Sequence, residues 1–223
     1  MAYMARKHKA YRDLTFADDF MFCRVLENDL ELCRRLIEVL LDQKIRRVVL
    51  VDSQHEIRVN PDIKSVRLDV YVDDDEGTVY DLEMQTVKRP IMPHRSRYYQ
   101  SMIDIDHLSA GASYSELPES YVIFICTFDP FGESLARYEF RNICEQYPYL
   151  ELHDGTHKVF INATSKQNDL GDEMKALLDY IIGFEPTSDL TQCIADRVSE
   201  AKSNKKWGRE YMLIEDIIKE SRA

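Results

Sequence analysis

Asp69, Asp81 and Glu83 are acids placed so that one β-hairpin would gather them. The segments VRLDVYV (66–72) and VYDLEMQ (79–85) each alternate apolar and polar residues, and DDDEG (73–77) between them has the composition of a turn. Pairing them about Glu76 sets Leu68 against Met84, Val70 against Leu82 and Val72 against Tyr80 on an apolar face. The other face then pairs Asp69 with Glu83, Arg67 with Gln85 and Tyr71 with Asp81. The apolar side sets the register, because a slip of one residue turns every side chain to the wrong face. Directly opposed residues put the Asp69 and Glu83 carboxylates within about 6 Å, where like charges destabilise a sheet. A divalent cation would remove that repulsion, since hard oxygen donors on facing strands suit Mg2+ or Mn2+. The same pattern also describes a hairpin whose acids simply face water.

The next segment inverts the local charge. From Met84 to Ile103 there is no acid, while Lys88, Arg89, Arg95 and Arg97 are present with His94, Tyr98 and Tyr99. A cation site followed by a basic helix is what phosphodiester cleavage needs: the metal activates water, and the arginines hold flanking phosphates. The plainer alternative is a solvated helix face that pairs with the acidic bulk of the chain.

That bulk is considerable. The 223 residues carry 29 basic and 40 acidic side chains, a net charge of −11, which excludes a histone-like blanket binder of nucleic acid. The length suits one compact unit with a small appendage. The seven glycines are too far apart for a dinucleotide fingerprint or a P-loop, so glycine-rich phosphate cradles are excluded. DDDEG fails as an EF-hand start, because Thr78 and Met84 stand where glycine and glutamate are required. No G-x-S-x-G points to a serine hydrolase. Cys23, Cys33, Cys126, Cys144 and Cys193 are odd in number and form no C-x-x-C, which suggests buried reduced thiols and a cytoplasmic protein. No apolar run reaches the ~18 residues of a membrane span. The start MAYMARKHKAYRD reads as a loosely ordered basic arm rather than a signal peptide.

The elements that must position these residues follow from periodicity. Thr15 with Asp18 predicts a helix start, and Asn28 with Glu31 predicts a second. Residues 46–52 form a short apolar strand. A helix over 93–110 would turn Tyr98, Met102, Ile105 and Leu108 inward and end at Gly111. Asp104, Asp106 and His107 on it read as surface. YVIFICTF (121–128) is a strand buried on both faces. RYEFRNI and HKVFINA are further strands, and helices follow over about 168–182 and 189–220, the latter opened by Ser188 and striped by Trp207, Tyr211, Ile214 and Ile218. The order predicts an α+β or mixed α/β sandwich around one sheet.

These residues also carry a resemblance. LTFADDFMFCRVLEN (14–28), IKSVRLDVYVDDDEGTVYDLEMQ (63–85), HRSRYYQSMID (94–104), GASYSELPESYVIFICTFDPFG (111–132) and AKSNKKWGREYML (201–213) together resemble the recombination-promoting nuclease/transposase family of the PD-(D/E)XK nuclease superfamily. The likeness spans about residues 12–215, and its most specific part is the L-D-V … G-x-x-Y-x-L-E-M-Q hairpin. It implies an α/β (α+β) fold: a restriction-endonuclease-like αβββαβ core with a mixed central sheet flanked by helices. We expect that domain over 1–185 and a C-terminal helical extension over 186–223. The resemblance further implies Mg2+ or Mn2+ at Asp69 and Glu83, and hydrolysis of DNA. Gln85 falls where the superfamily usually has lysine. A neutral amide orients water but supplies no charge. Lys64, or Lys88, is a candidate to supply it. Pro61–Asp62 lies seven residues before Asp69, outside the facing register, and is assigned to a turn. Asp19, Glu27 and Glu56 are candidates for a further acid. The expected catalytic set is therefore Asp69, Glu83, Gln85 and Lys64, with DNA held by Lys88, Arg89, Arg95 and Arg97. The expected partners are DNA and, as an option, a second copy in a homodimer, with no membrane. The alternative is a catalytically weak nuclease fold kept as a DNA- or protein-binding regulatory module.

Overall fold

A computed structural model describes residues 9–60 and 62–220, and the side chain of Ile218 is outside that description. Most of the predicted basic arm, residues 1–8, and Pro61 of the Pro-Asp pair lie outside the described residues.

Helix α1 (Asp19–Glu27) starts from Asp18, whose carboxylate accepts hydrogen bonds from the Thr15 amide at 2.7 Å and hydroxyl at 3.0 Å. The capping pair predicted here is thus reversed: the acid holds the threonine. Helix α2 (Leu30–Leu41) is capped by Asp29, which accepts from Leu32 N–H at 3.0 Å, rather than by Asn28. Asn28 instead closes α1 by donating to the Arg24 carbonyl. Both helices bury a full apolar stripe that ends in Leu36, Ile37, Leu40 and Leu41.

Strands β1 (Val48–Ile57), β2 (Val66–Asp74) and β3 (Val79–Gln85) form an antiparallel meander. Helix α3 (Met92–His107) then crosses over to β4 (Ser120–Cys126), which runs parallel to β3. Strands β5 (Arg137–Phe140), β6 (Ile143–Cys144), β7 (Tyr147–Glu151) and β8 (Thr156–Asn162) follow. The six-stranded mixed sheet has the order β1-β2-β3-β4-β8-β5, and β6 and β7 form a separate hairpin. Every residue of β4 is buried, as its unbroken apolar run predicts. Helices α4 (Asp172–Ile181), α5 (Asp189–Ser203) and α6 (Lys205–Glu220) complete the chain.

The sheet separates two cores. One gathers side chains of α1, α2, α4 and α5 against Val70, Val72, Leu82, Met84, Ile123 and Ile161. The other lies under α3 and holds Ile57, Val66, Leu68, Tyr71, Val122, Phe124 and Phe160. This is the mixed α/β fold expected: a βββαβ core flanked by helices. Among the described residues no helix is long and apolar enough to cross a membrane.

Four expectations about elements are corrected. The inner face of α3 is Met92, Ser96, Gln100, Met102 and Ile103, while Ile105 is 52% exposed. Apolar periodicity missed it because the face is partly polar: buried Gln100 donates to Ser120 Oγ at 2.7 Å and to Asp104 at 3.1 Å. The helix also ends at His107, so Gly111 serves a later turn at φ +86°. His107 is not mere surface, since its ring meets Tyr71 Oη at 2.9 Å. Finally, the helix expected over 189–220 is two helices broken at Asn204; its opening by Ser188 is present as a capping box.

Candidate active site

Strand β2 changes faces at one residue, and that residue is Asp69. Val70 and Val72 point into the core under α1 and α2, yet Leu68 and Val66 point into the core under α3. Strand β1 switches alongside: its ladder to β2 runs Ser53↔Val70, then His55↔Leu68, and Gln54 between them has φ +60°. That left-handed backbone, unusual for a residue with a Cβ, turns the strand over. The hairpin ladder between β2 and β3 therefore holds only from Val70↔Leu82 to Asp73↔Val79. The expected pairs Leu68–Met84 and Arg67–Gln85 are absent, because β2 follows β1 at that point and leaves β3.

The gap is bridged by side chains. Asp69 N–H donates to Glu83 Oε1 at 3.0 Å, and Met84 N–H donates to Asp69 Oδ2 at 3.2 Å. The two acids are thus brought together as expected, not as an opposed ladder pair but by each caring for the other strand's freed backbone group. Asp81 is two residues back on the same side of β3. It is 0% exposed and Glu83 1%, and neither oxygen of Asp81 has a hydrogen-bond partner among the described residues. Burial, with the charge of Asp19 next, pushes the Asp69 carboxyl up to about 7. Burial and then Asp81 and Asp69 raise Glu83 well above the usual range, and burial and Asp69 raise Asp81.

Arg95, expected to hold a flanking phosphate, is engaged by the protein's own side chains. Its guanidinium lies inside the site: one nitrogen meets Glu83 Oε2 at 2.8 Å and Tyr99 Oη at 2.8 Å, the other Gln85 Oε1 at 3.0 Å. It also lies over the rings of Tyr99 and Phe124, at 5.1 and 5.4 Å. The structure thus sets a permanent cation beside Glu83 and Gln85. The i,i+4 spacing of Arg95 and Tyr99 was the one local signal of this contact.

The remaining candidates separate cleanly. Of the three further acids, Asp19 acts electrostatically on Asp69 and on Cys23. Glu27 is engaged by Arg24 at 3.1 Å and Ser53 at 2.8 Å, and Glu56 by Arg58 at 2.7 Å. Lys64 is exposed, and among the described residues its ammonium makes no ion pair; its carbonyl accepts from Tyr98 Oη. Lys88 donates to the Asp129 carbonyl at 2.7 Å, Arg89 is exposed, and Arg97 is exposed without an ion pair among the described residues.

Among the described residues no three His, Cys, Asp or Glu side chains form a ready cage for a metal. Mg2+ needs none: it keeps several waters and takes one or two carboxylates plus substrate oxygens. Asp69 and Glu83, with the unpartnered buried oxygens of Asp81 behind them, fit that requirement. A cleft of about 690 Å3 lies elsewhere, between α2, β5 and α4, with Glu38, Asp42, Asp169 and Glu173 in its lining. Its acids make it a poor seat for a phosphodiester, and none of the hairpin acids reaches it.

A family model described as PD-(D/E)XK nuclease family transposase matches residues 16–176. The match runs from just before α1 into α4 and takes in the whole sheet, so the chain belongs to this family. No curated protein and no solved structure matches the chain.

Proposed function

From its place among the PD-(D/E)XK nuclease family transposases, we propose that the chain is a divalent-metal-dependent DNA endonuclease. The observation that carries this reading is the cross-bonded pair Asp69 and Glu83, at the point where β2 leaves β3. These two carboxylates would hold Mg2+ or Mn2+, with Asp19 the further acid nearest in charge. A bound cation would polarise the scissile phosphate and lower the pKa of the attacking water.

The chain's own residues supply the rest. Gln85 gives its carbonyl oxygen to Arg95, which leaves the amide NH2 to hold a water. Arg95 brings positive charge to the pentavalent phosphate, so the missing lysine of the motif costs less than the sequence implies. Lys88, Arg89 and Arg97 would hold flanking phosphates. A homodimer would offer one site to each strand of a duplex. The free cysteines support a cytoplasmic setting. The family match, which ends at residue 176, supports a division near residue 185.

One observation favours the rival reading, a catalytically weak module. Both oxygens of Glu83 are already engaged, by Asp69 N–H and by Arg95. Plasmid nicking with Mg2+, Mn2+ and EDTA, run beside Asp69→Ala, decides between them. Metal-dependent nicking lost in the variant is expected. Absence of nicking, with no rise in melting temperature on adding either metal, would leave only the module.

A further inference from the structure

A second, smaller cleft of about 210 Å3 lies between the loop after β3 and the loop after β4. Lys88, Arg89, Pro90, Met92 and Pro93 line one side, Pro130 and Phe131 the other. Among the described residues no acid lines it, in a chain of net charge −11. Its walls are held in place. Lys88 ties the two loops by its bond to the Asp129 carbonyl. The Asp129 carboxylate braces its own loop, accepting from the amides of Phe131, Gly132 and Ser134 and from Tyr138 Oη. Phe131 meets Tyr138, Phe140 and Phe160 edge-on, at 5.0, 5.1 and 5.1 Å, yet stays 37% exposed. The result is a fixed aromatic surface with two cations beside it.

The cleft adjoins the carboxylate site. Lys88 is three residues from Gln85, at most about 11 Å of chain. Pro93 is two residues from Arg95 along α3, about 3 Å of helix rise. Room for about seven water volumes suits one flat ring. Proteins that hold single-stranded nucleic acid combine aromatic stacking with flanking cations in this way.

We infer that this cleft takes one unpaired nucleobase of the DNA strand next to the cleavage site, stacked on Phe131, with its neighbouring phosphates held by Lys88 and Arg89. The inference rests on the nuclease reading for its substrate, and extends it: the preferred DNA has a frayed, nicked or single-stranded stretch at the site. A base inside a duplex has no free face to offer.

The test uses the full chain in EDTA, so that binding is read without cleavage. A short single-stranded oligodeoxynucleotide is compared with copies that carry one abasic position each, by fluorescence anisotropy, and with 2-aminopurine at the same positions. One position is expected to matter: losing its base should weaken binding roughly five- to a hundred-fold, the range of one base–aromatic stack. The 2-aminopurine signal should change there. Phe131→Leu, checked by its melting temperature, should erase the difference, and Phe131→Tyr should keep it. A flat abasic scan with the wild-type chain, or a base dependence that survives Phe131→Leu, overturns this site alone. The scan needs no variant to fold. A wild-type chain that binds no oligonucleotide overturns the DNA reading along with it. Base-dependent binding by a chain that never cleaves would count against the nuclease and not against the cleft.

Discussion

Asp69 carries a half-buried carboxyl whose neighbours are mostly acids, and its substitution should show which state of the protein needs its charge. Asp69→Asn should abolish nicking while the fold holds, because the amide oxygen can still accept from Met84 N–H. The pH dependence has a defined sign. The native carboxyl, at about 7 against an ordinary 3.8, keeps its proton where the unfolded chain has lost it. Below pH ~4 the shift therefore costs nothing; between about 4 and 7 stability falls as pH rises, and above 7 the loss is complete. In EDTA, wild type and Asp69→Asn should melt alike near pH 4, and the variant should melt higher at pH 8. A variant that melts well below wild type at pH 8 would make Asp69 structural. Metal binding must displace the same proton, so the Mg2+-induced rise in melting temperature should grow with pH up to about 7 and then level. A rise equally large at pH 5 would place the cation elsewhere.

At the scale of elements, the site depends on a strand that turns over. Gln54 adopts φ +60°, which allows β1 and β2 to change cores together and leaves Asp69 and Glu83 to bridge to β3. A β-branched residue resists that conformation. Gln54→Val should lower the melting temperature, because a β-branched residue is a genuine outlier at positive φ, and also reduce the metal-induced rise, since Asp69 would shift with its strand. Melting with and without Mg2+ checks both. A Gln54→Val chain indistinguishable from wild type would mean that the turn-over is not held by this residue. Helix α3 shows the same dependence from the other side. Its inner face is fixed by Gln100 on Ser120, and only that rotation carries Arg95 onto Glu83.

For the whole molecule, net charge and site charge oppose each other. With Arg95 on Glu83, the cations that flank the carboxylate site are Lys88, Arg89 and Arg97. Each neutralised phosphate contributes about −0.9 to the slope of log affinity against log salt on duplex DNA, so the slope should be roughly −2 to −3. Arg97→Ala should flatten it by about one. A salt titration by anisotropy measures this, and a slope of −6 or steeper would mean that a larger basic surface exists than the described residues show. Weak general affinity in an acidic chain leaves selection to the form of the DNA. The helices α5 and α6 carry Lys202, Lys205, Lys206 and Arg209 about their junction, while the inward side of α5 is apolar. Leu190, Ile194 and Val198 of α5 belong to the core under α1 and α2.

The local patterns of the sequence determined a good deal. Alternation placed β2 and β3, and the register from Val70↔Leu82 to Asp73↔Val79 is the one that alternation requires. The unbroken apolar run of β4 marked it as the buried centre. Asp69 and Glu83 were singled out because two acids on one face of a hairpin need a reason, and Ser188 was legible because a cap is a contact between near neighbours. What escaped was non-local. No window of sequence shows that β2 follows β1 rather than β3 at Asp69, since strand choice is a competition between partners far apart in the chain. The polar inner face of α3 was invisible to apolar periodicity because its partner, Ser120, comes from another strand. The sequence showed Arg95 as one charge in a basic run; only tertiary packing, by setting α3 on the sheet, decided that its charge belongs to Glu83 and Gln85.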